Sequence, residues 1–253
     1  MLVGRTKWHA PPGDYTVAEN EVHVWRATLD GILACIPTLR NALSNDECEK
    51  AARFHFEVDR HRFVLGRAVL RQVLARCLRT RAEALRFGYG PFGKPAIVPG
   101  LAKTPLQFNV SHSGDLVLIA IAVGRAVGVD VEQVRTDIAV DDIAEHYFSP
   151  AECAALAALP ASLRHDAFHA CWTRKESYLK ATGVGMFLPL DQFDVSLRPG
   201  EVARLVATRP DPAEVRRWML LELDAGRNYK AAVAVEGVGI RLKTWDWCNG
   251  VFE

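Results

Sequence analysis

The segment AVGVDVE at residues 126–132 decides the fold, because two kinds of side chain alternate along it. Its three valines fall on one face of a β-strand, and Gly128, Asp130 and Glu132 fall on the other. The valine face is typical of a strand packed into a core. On the other face the two carboxylates converge, and Gly128 beside them is expected to leave room for a ligand to approach the backbone.

Two carboxylates this close repel each other unless a positive charge lies between them. Mg²⁺ is a natural partner, because it takes one or two protein carboxylates and completes its octahedron with water and substrate phosphates. Asp130 and Glu132 are therefore candidate metal ligands, with Mn²⁺ as the alternative cation. Taken alone, this segment is explained more simply as an ordinary exposed strand edge with acidic residues.

The chain on either side of this segment repeats one order of elements: a strand, then helices, then strands. Ser44 and Ser149 each begin a capping box, with a glutamate three residues later, and each box precedes a long helical pattern. We therefore predict an α+β fold of two similar α+β lobes, residues 1–124 and 125–253. The predicted strands are Glu21–Leu29, Gln107–Val110, Leu116–Val123, Ala126–Glu132, Gln192–Leu197, Arg216–Leu223, Tyr229–Val235 and Gly239–Trp247, and the long helices are Asp59–Leu78 and Ser162–Thr182.

The second long helix carries Glu176 and Lys180, which lie one turn apart and share a face. Glu176 is a candidate third metal ligand, and Lys180 is a candidate for offsetting phosphate charge or moving a proton. A surface ion pair is the alternative explanation. We expect Gly183 to end this helix.

A third group of polar residues follows the strand at Gln107–Val110. Ser111 and His112 can donate hydrogen bonds to a phosphate, although neighbouring side chains on a strand point to opposite faces. No G-x-S-x-G elbow surrounds Ser111, which argues against a serine hydrolase. Lys94 follows a glycine-rich and proline-rich stretch, predicted as loop over Phe87–Pro105, and is a further candidate phosphate contact or a solvated loop lysine.

Composition excludes several classes of protein. The net charge of +1 excludes a uniformly basic nucleic-acid coat. It is a cancellation, because nine arginines face three acids over Arg53–Arg86 and seven acids face one arginine over Asp130–Glu152. The six cysteines form no C-x-x-C pair, the residues at 1–15 lack the apolar core typical of a signal peptide, and no uncharged apolar run approaches about 20 residues, so we expect neither secretion nor membrane insertion. We expect reduced thiols, a cytoplasmic location, and neither membrane nor nucleic-acid partners.

Three blocks of this sequence, in this order, resemble the signature of the 4′-phosphopantetheinyl transferases of the larger, surfactin-synthetase-activating type. The first block is Gly93-Lys94-Pro95 followed by FNVSHS at 108–113, the second is VGVDVE at 127–132, and the third is WTRKESYLKATGVG at 172–185. The resemblance covers most of the chain. It implies a pseudo-dimer of two α+β lobes with the active site in the cleft between them, and a monomer as the default state.

The resemblance also implies a reaction. Enzymes of this family transfer the phosphopantetheine arm of coenzyme A to a serine of an apo acyl or peptidyl carrier protein and release adenosine 3′,5′-bisphosphate. Asp130, Glu132 and Glu176 would hold Mg²⁺ on the pyrophosphate, and Lys180 would contact the transferred phosphate.

By the same resemblance, Lys94, Ser111 and His112 would hold the adenosine end of coenzyme A, chiefly its 3′-phosphate. Lys50 and Arg62 occupy positions where the family places basic contacts to coenzyme A. The sequence departs from the family pattern at Glu47, where a lysine is often found, and at Phe63, where a small hydroxyl residue is found. Arg60 or Arg67 is expected to substitute for the missing contacts.

The general base that takes the proton of the carrier serine is open at this stage. Glu176 is the first candidate, alone or with Lys180, and a metal-bound water competes with it. A catalytically silent module that binds coenzyme A or carrier domains is one alternative function. Another coenzyme A-dependent transferase is the other, although acyl transfer would not need three converging carboxylates.

Overall fold

The computed structural model describes residues 6–13, 15–29, 35–90, 93–98 and 105–247, without the side chain of Met186. Cys248 lies outside these residues, and the other five cysteines are free thiols. The described chain divides into two compact units, one built on residues 8–124 with 242–247, the other on residues 125–241 with 6–7. No helix in the described ranges is both long and apolar enough to span a membrane.

In the described residues, the first unit packs one long helix against a four-stranded sheet in which three neighbouring strands are antiparallel, and two shorter helices pack on the long helix. Helix Glu57–Leu78 buries one apolar face against this sheet, in a core that includes Leu65, Val69 and Trp25. Its elements are β1 Glu21–Thr28, α1 Ile36–Leu39, α2 Asn45–Ala52, α3 Glu57–Leu78, β2 Phe87–Tyr89, β3 Pro95–Ile97, β4 Leu106–Ser113 and β5 Leu116–Val123.

The second unit packs its longest helix against a sheet of three antiparallel strands. The pleat fixes the register, with Asp130 paired to Ala232 and Glu132 to Lys230 on the neighbouring strand. Its elements are β6 Val127–Gln133, α4 Val140–Tyr147, α5 Pro150–Ala157, α6 Ala161–Thr182, β7 Phe193–Val195, β8 Leu205–Thr208, β9 Trp218–Leu223 and β10 Tyr229–Glu236.

The last strand, β11 (Arg241–Asp246), joins the sheet of the first unit, whose order is β11-β1-β5-β4. The order of elements along the sequence predicted this strand as part of the second lobe, residues 125–253. Contacts that hold it beside β1 include a hydrogen bond from Arg26 to Asp246 at 2.8 Å and one from the backbone N–H of Trp247 to the Arg26 carbonyl at 2.8 Å. The sheet of the second unit has the order β6-β10-β9, with β7 and β8 as a separate pair.

The helix starts and stops that the sequence predicts are confirmed. Both capping boxes form, at Ser44 before α2 and at Ser149 before α5. Helix α6 ends at Gly183, whose φ of 72° lies in the left-handed region that glycine adopts without strain. The stretch 87–105 is not all loop, because β2 and β3 pair there as a short hairpin, and the sequence patterns did not predict α4 or β8.

Candidate active site

Strand β6 and helix α6 lie against each other with their backbones in contact at Gly128. A Cβ atom built on Gly128 would lie 2.2 Å from the Ser177 carbonyl oxygen and 2.3 Å from the Ala181 nitrogen. Real Cβ atoms do not approach that closely, so only glycine permits this packing. The space beside Gly128 is therefore filled by α6 rather than left for a ligand, which corrects the sequence-based expectation.

The contact at Gly128 brings the acidic face of β6 next to the third motif block on α6. The Nζ atom of Lys180 donates to Oδ1 of Asp130 at 2.6 Å. Asp130 is buried, with 1% of its surface exposed, and the Lys180 side chain is 30% exposed. The ammonium thus neutralises a buried carboxylate while part of it stays accessible from solvent.

Glu176 is half-buried and electrostatically coupled to the same pair. Burial, followed by repulsion from Asp130, raises the pKa of the Glu176 carboxyl above its ordinary value, and the Lys180 charge opposes this rise. A carboxylate with a raised pKa holds a proton more tightly, which is a property of a general base. Asp130, Glu176 and Lys180 are thus brought together within one unit.

Glu132 lies on the same face of β6, partly buried, two residues beyond Asp130. Its cross-strand neighbour Lys230 forms an ion pair with Asp166 at 2.7 Å. In the part of the chain that the structure describes, no group of three or more histidine, cysteine, aspartate or glutamate side chains converges closely enough to hold a metal ion. Asp130 and Glu176 nevertheless form a coupled pair of hard oxygen donors, which fits Mg²⁺, since this ion needs only one or two protein carboxylates when phosphates supply further ligands.

The residue before Glu176 on α6 belongs to a buried ion pair to which sequence reasoning gave no role. Lys175 has no exposed surface, and its Nζ atom lies 2.7 Å from Oε2 of Glu152. Glu152 belongs to the capping box of α5, where its carboxylate accepts the backbone N–H of Ser149 at 3.0 Å. The capping box was the visible signal, but no local pattern links it to a lysine 23 positions later.

In the first unit, a pocket of about 520 Å³ gathers three of the predicted coenzyme A contacts. Lys50, Arg62 and His112 all line it. Arg62 donates to Asp115 at 3.0 Å, and Lys50 lies 5.4 Å from the centre of the Phe63 ring in a cation–π contact. The aromatic residue at position 63 therefore helps to hold one of the basic side chains of the pocket.

Lys94 and Ser111 are not among the residues that line this pocket. Ser111 is buried and His112 exposed, as the alternation along β4 requires. Lys94 precedes β3 and is partly buried, and this burial lowers the pKa of its ammonium group to about 8.

The residue at position 47 has a structural role. Glu47 is buried, and its carboxylate accepts hydrogen bonds from Arg71 at 2.5 Å and Arg67 at 2.7 Å. Burial would raise the pKa of Glu47, but hydrogen bonds from Arg71 and the Ser44 backbone, together with the charges of Arg67 and Arg71, outweigh burial and lower the pKa. Arg67 also borders the pocket that Lys50 and Arg62 line, and it is paired there with Glu47. Arg60, the other candidate for the missing coenzyme A contacts, lies 3.7 Å from the exposed Glu57.

Comparison with known proteins assigns both units to one family. Residues 126–234 match the model of the 4′-phosphopantetheinyl transferase superfamily, and residues 25–123 match a model described as 4′-phosphopantetheinyl transferase, N-terminal. Among solved structures, the Thermotoga maritima holo-[acyl-carrier-protein] synthase (AcpS) aligns over 44% of this chain and 62% of its own, at 18% identity and a TM-score of 0.36.

The curated relatives include the 4′-phosphopantetheinyl transferase HetI of Nostoc sp., which is 38% identical over 240 residues, 95% of this chain and 98% of HetI. The 4′-phosphopantetheinyl transferase Sfp of Bacillus subtilis is 34% identical over 192 residues, 76% of this chain and 81% of Sfp. Identity of this extent, over nearly the whole length of a relative, places this chain in the 4′-phosphopantetheinyl transferase family of enzymes.

Proposed function

We propose that this protein transfers the 4′-phosphopantetheine arm of coenzyme A to a serine hydroxyl of an apo acyl or peptidyl carrier protein. The serine oxygen forms a bond to the phosphorus that bears the pantetheine. The pyrophosphate bond to that phosphorus breaks, and adenosine 3′,5′-bisphosphate leaves. The observation that carries the proposal is the cluster of Asp130, Glu176 and Lys180, with Lys180 Nζ 2.6 Å from the Asp130 carboxylate.

We assign the metal to the second unit, with Asp130, Glu132 and Glu176 as its ligands. When bound, Mg²⁺ supplies Lewis-acid neutralisation of the pyrophosphate charge. The coupling of Asp130 to Glu176 supports this assignment, because a divalent cation would relieve the repulsion that raises the pKa of Glu176.

Lys180 acts as the cation for the transferred phosphate. It forms an ion pair with Asp130, and its partial exposure lets it exchange this carboxylate contact for a phosphate contact. Charge of this kind, fixed before the reaction, stabilises the negative charge that develops on the phosphoryl oxygens.

Glu176 acts as the general base. It takes the proton of the carrier serine as the oxygen–phosphorus bond forms, and later releases that proton to solvent. Its place on α6, one turn from Lys180, supports this role, because the Glu176 carboxylate would then lie within reach of the serine oxygen that attacks the same phosphate.

We assign the adenosine end of coenzyme A to the first unit. Lys50, Arg62 and His112 border one pocket there and suit the 3′-phosphate, while Lys94 and Ser111 are assigned to the same end of the ligand on sequence grounds. The protein is proposed to work as a cytoplasmic monomer, without nucleic-acid or membrane partners.

The test is a transfer assay followed by mass spectrometry of the carrier. The protein is incubated with coenzyme A, Mg²⁺ and each of several apo carrier proteins, with EDTA replacing Mg²⁺ in parallel samples. Expected results are a carrier heavier by one phosphopantetheine arm, released adenosine 3′,5′-bisphosphate, and neither product with EDTA. Coenzyme A binding without transfer to any carrier would instead indicate a silent binding module, and acylation of an acceptor would indicate a different transferase.

A further inference from the structure

The amino group of Lys175 is fixed by oxygen atoms from three places in the second unit. Besides the pair with Glu152 of α5, Nζ donates to the carbonyl oxygens of Leu190 at 2.7 Å and Phe193 at 2.5 Å. All three hydrogen-bonding positions of the ammonium are therefore used. Since none of its surface is exposed, Lys175 is not available to a substrate.

Glu152 extends this network to strand β7 as well as to α5. Its Oε1 atom accepts the backbone N–H of Val195 at 2.8 Å, and its Oε2 atom accepts that of Ser149 at 3.0 Å. The pair Lys175–Glu152 therefore connects α6, α5 and β7 through hydrogen bonds whose donors and acceptors are all buried.

Helix α6 is held on two sides by contacts that tolerate little movement. On the β6 side, Gly128 contacts the helix backbone at Ser177 and Ala181. On the other side, the helix is tied through Lys175. Glu176 and Lys180 lie between these contacts in sequence, so their approach to Asp130 depends on how far α6 turns about its axis.

The first unit contains a similar buried ion pair, which also joins a capping-box glutamate to the long helix. Glu47, the capping-box glutamate of α2, is buried and pairs with Arg71 of α3, and Arg71 donates to the carbonyl oxygens of Ala82 and Leu85. The residue after Arg71 is Gln72, which accepts from Trp247 Nε1, whereas the residue after Lys175 is Glu176. The chain thus offers a matched control, in which a similar buried pair is followed by a glutamine instead of a proposed metal ligand.

We infer that Lys175, through its pair with Glu152, is a positioning residue that sets where Glu176 and Lys180 lie relative to Asp130. The inference rests on the proposed function for its metal and its reaction. A buried ion pair contributes little net stability compared with well-packed apolar side chains, but its directional bonds specify one arrangement. Residues that orient metal ligands without touching the metal typically change metal affinity about 10- to 100-fold when they are replaced.

The experiment compares Lys175→Met with Arg71→Met. Mn²⁺ affinity is measured by electron paramagnetic resonance with coenzyme A present, and transfer is measured as kcat and KM for coenzyme A. Circular dichroism and thermal unfolding confirm that each variant is folded at the assay temperature. We expect Lys175→Met to lose about 10- to 100-fold in Mn²⁺ affinity and to lower kcat with a smaller change in KM, while Arg71→Met keeps wild-type Mn²⁺ affinity despite a similar loss of thermal stability.

Because Lys175→Met leaves the Glu152 carboxylate buried without its cation, this variant risks failing to fold. The double variant Lys175→Met with Glu152→Gln removes both charges and keeps an amide oxygen that can accept from one of the two N–H groups, that of Ser149 or that of Val195. We expect it to fold and to show the same loss of Mn²⁺ affinity.

Wild-type Mn²⁺ affinity and kcat in either folded variant would overturn the inference and leave the proposed function intact. An equal loss of Mn²⁺ affinity in Arg71→Met would also overturn it, because the effect would then follow general destabilisation. If the wild-type protein itself binds no Mn²⁺, the proposed metal site fails, and the inference fails with it.

Discussion

The Lys180 ammonium lies 2.6 Å from Oδ1 of Asp130, a carboxylate with only 1% of its surface exposed. Burying a lone carboxylate is costly, so the strand can hold Asp130 only because the helix supplies a cation. The same arrangement leaves Lys180 partly exposed. Strand and helix thus contribute opposite charges, and the buried charge of Asp130 depends on that of Lys180.

Replacing Asp130 with alanine is expected to lower transfer at least about 100-fold, because it removes both a proposed metal ligand and the partner that positions Lys180. The measurement is the initial rate of carrier modification over a range of Mg²⁺ concentrations. Asp137→Asn is the matched control, since Asp137 is an exposed aspartate paired only with Arg135 among the contacts described for it. Unchanged Mg²⁺-dependent transfer in Asp130→Ala would remove the basis for the metal site.

Replacing Glu176 with glutamine is expected to have opposite effects on rate and stability. The rate should fall about 10²- to 10⁴-fold with the loss of the general base, even at saturating Mg²⁺. The metal-free protein should become more stable at neutral pH, because the variant buries no charge beside Asp130.

The sign of the stability effect follows from proton linkage. The folded-state pKa of Glu176 is raised above 4.5, so the folded protein binds this proton more tightly than the unfolded chain does. Wild-type stability relative to Glu176→Gln is therefore highest below pH 4.5 and is lost as the pH rises through the folded pKa. Urea unfolding in EDTA at several pH values measures the difference, and a gap that does not change with pH would contradict it.

Much of this site could be predicted from local sequence patterns. Alternation along residues 126–132 placed Asp130 and Glu132 on one face, and helical spacing placed Glu176 with Lys180. The pairing of Lys175 with Glu152 and the entry of β11 into the first sheet could not be predicted, because they join residues that are far apart in sequence and carry no shared periodicity. The sequence correctly predicted a close approach at Gly128, but it wrongly assigned that approach to a ligand rather than to α6. A glycine in a strand indicates that something comes close to the backbone and does not say what it is.

Gly128→Ala is expected to destabilise the protein by about 1–3 kcal/mol or more, because the new methyl group would overlap the backbone of α6. Displacement of α6 should also move Glu176 and Lys180 away from Asp130 and lower transfer. Gly66→Ala in α3 is the stability control: its Cβ would meet only the Val117 methyl groups, at 3.9 Å or more. That change should be neutral or stabilising by up to about 1 kcal/mol. Urea denaturation of both variants measures the contrast, and equal destabilisation would contradict the packing argument.

Acid is expected to weaken the first unit through Glu21 and His23 of β1. Despite burial, hydrogen bonds from His23 and Lys243 lower the pKa of Glu21 to about 2, while burial lowers the pKa of His23. Both shifts favour folding at neutral pH. The His23 contribution is lost as the pH falls below 6.5, and the Glu21 contribution, up to about 3 kcal/mol, is lost between pH 4.5 and 2.

The replacement Glu21→Gln should therefore flatten the loss of stability below pH 4.5. Trp245 of β11 donates to His23 at 3.2 Å, so its fluorescence reports the same transition. The measurement is the free energy of unfolding at intervals from pH 7 to pH 3, followed through tryptophan emission. A Glu21→Gln curve parallel to the wild-type curve below pH 4.5 would show that Glu21 is not responsible.

Coenzyme A binding is expected to weaken as the pH rises through about 8, because burial lowers the pKa of Lys94 to that value and a neutral amine attracts phosphate less. Bound phosphate favours the charged form, so the midpoint should move above 8 when the ligand is present. The Kd for coenzyme A, measured by calorimetry from pH 7 to 9, should rise with pH in the wild-type protein and stay flat in Lys94→Met.

Lys50→Met is the matched control for this measurement, since Lys50 lines the pocket of the same unit. It should weaken binding at every pH yet keep the wild-type dependence on pH, because Lys94 is still present. A wild-type pH dependence in Lys94→Met would assign the titration to another group and separate Lys94 from the bound phosphate.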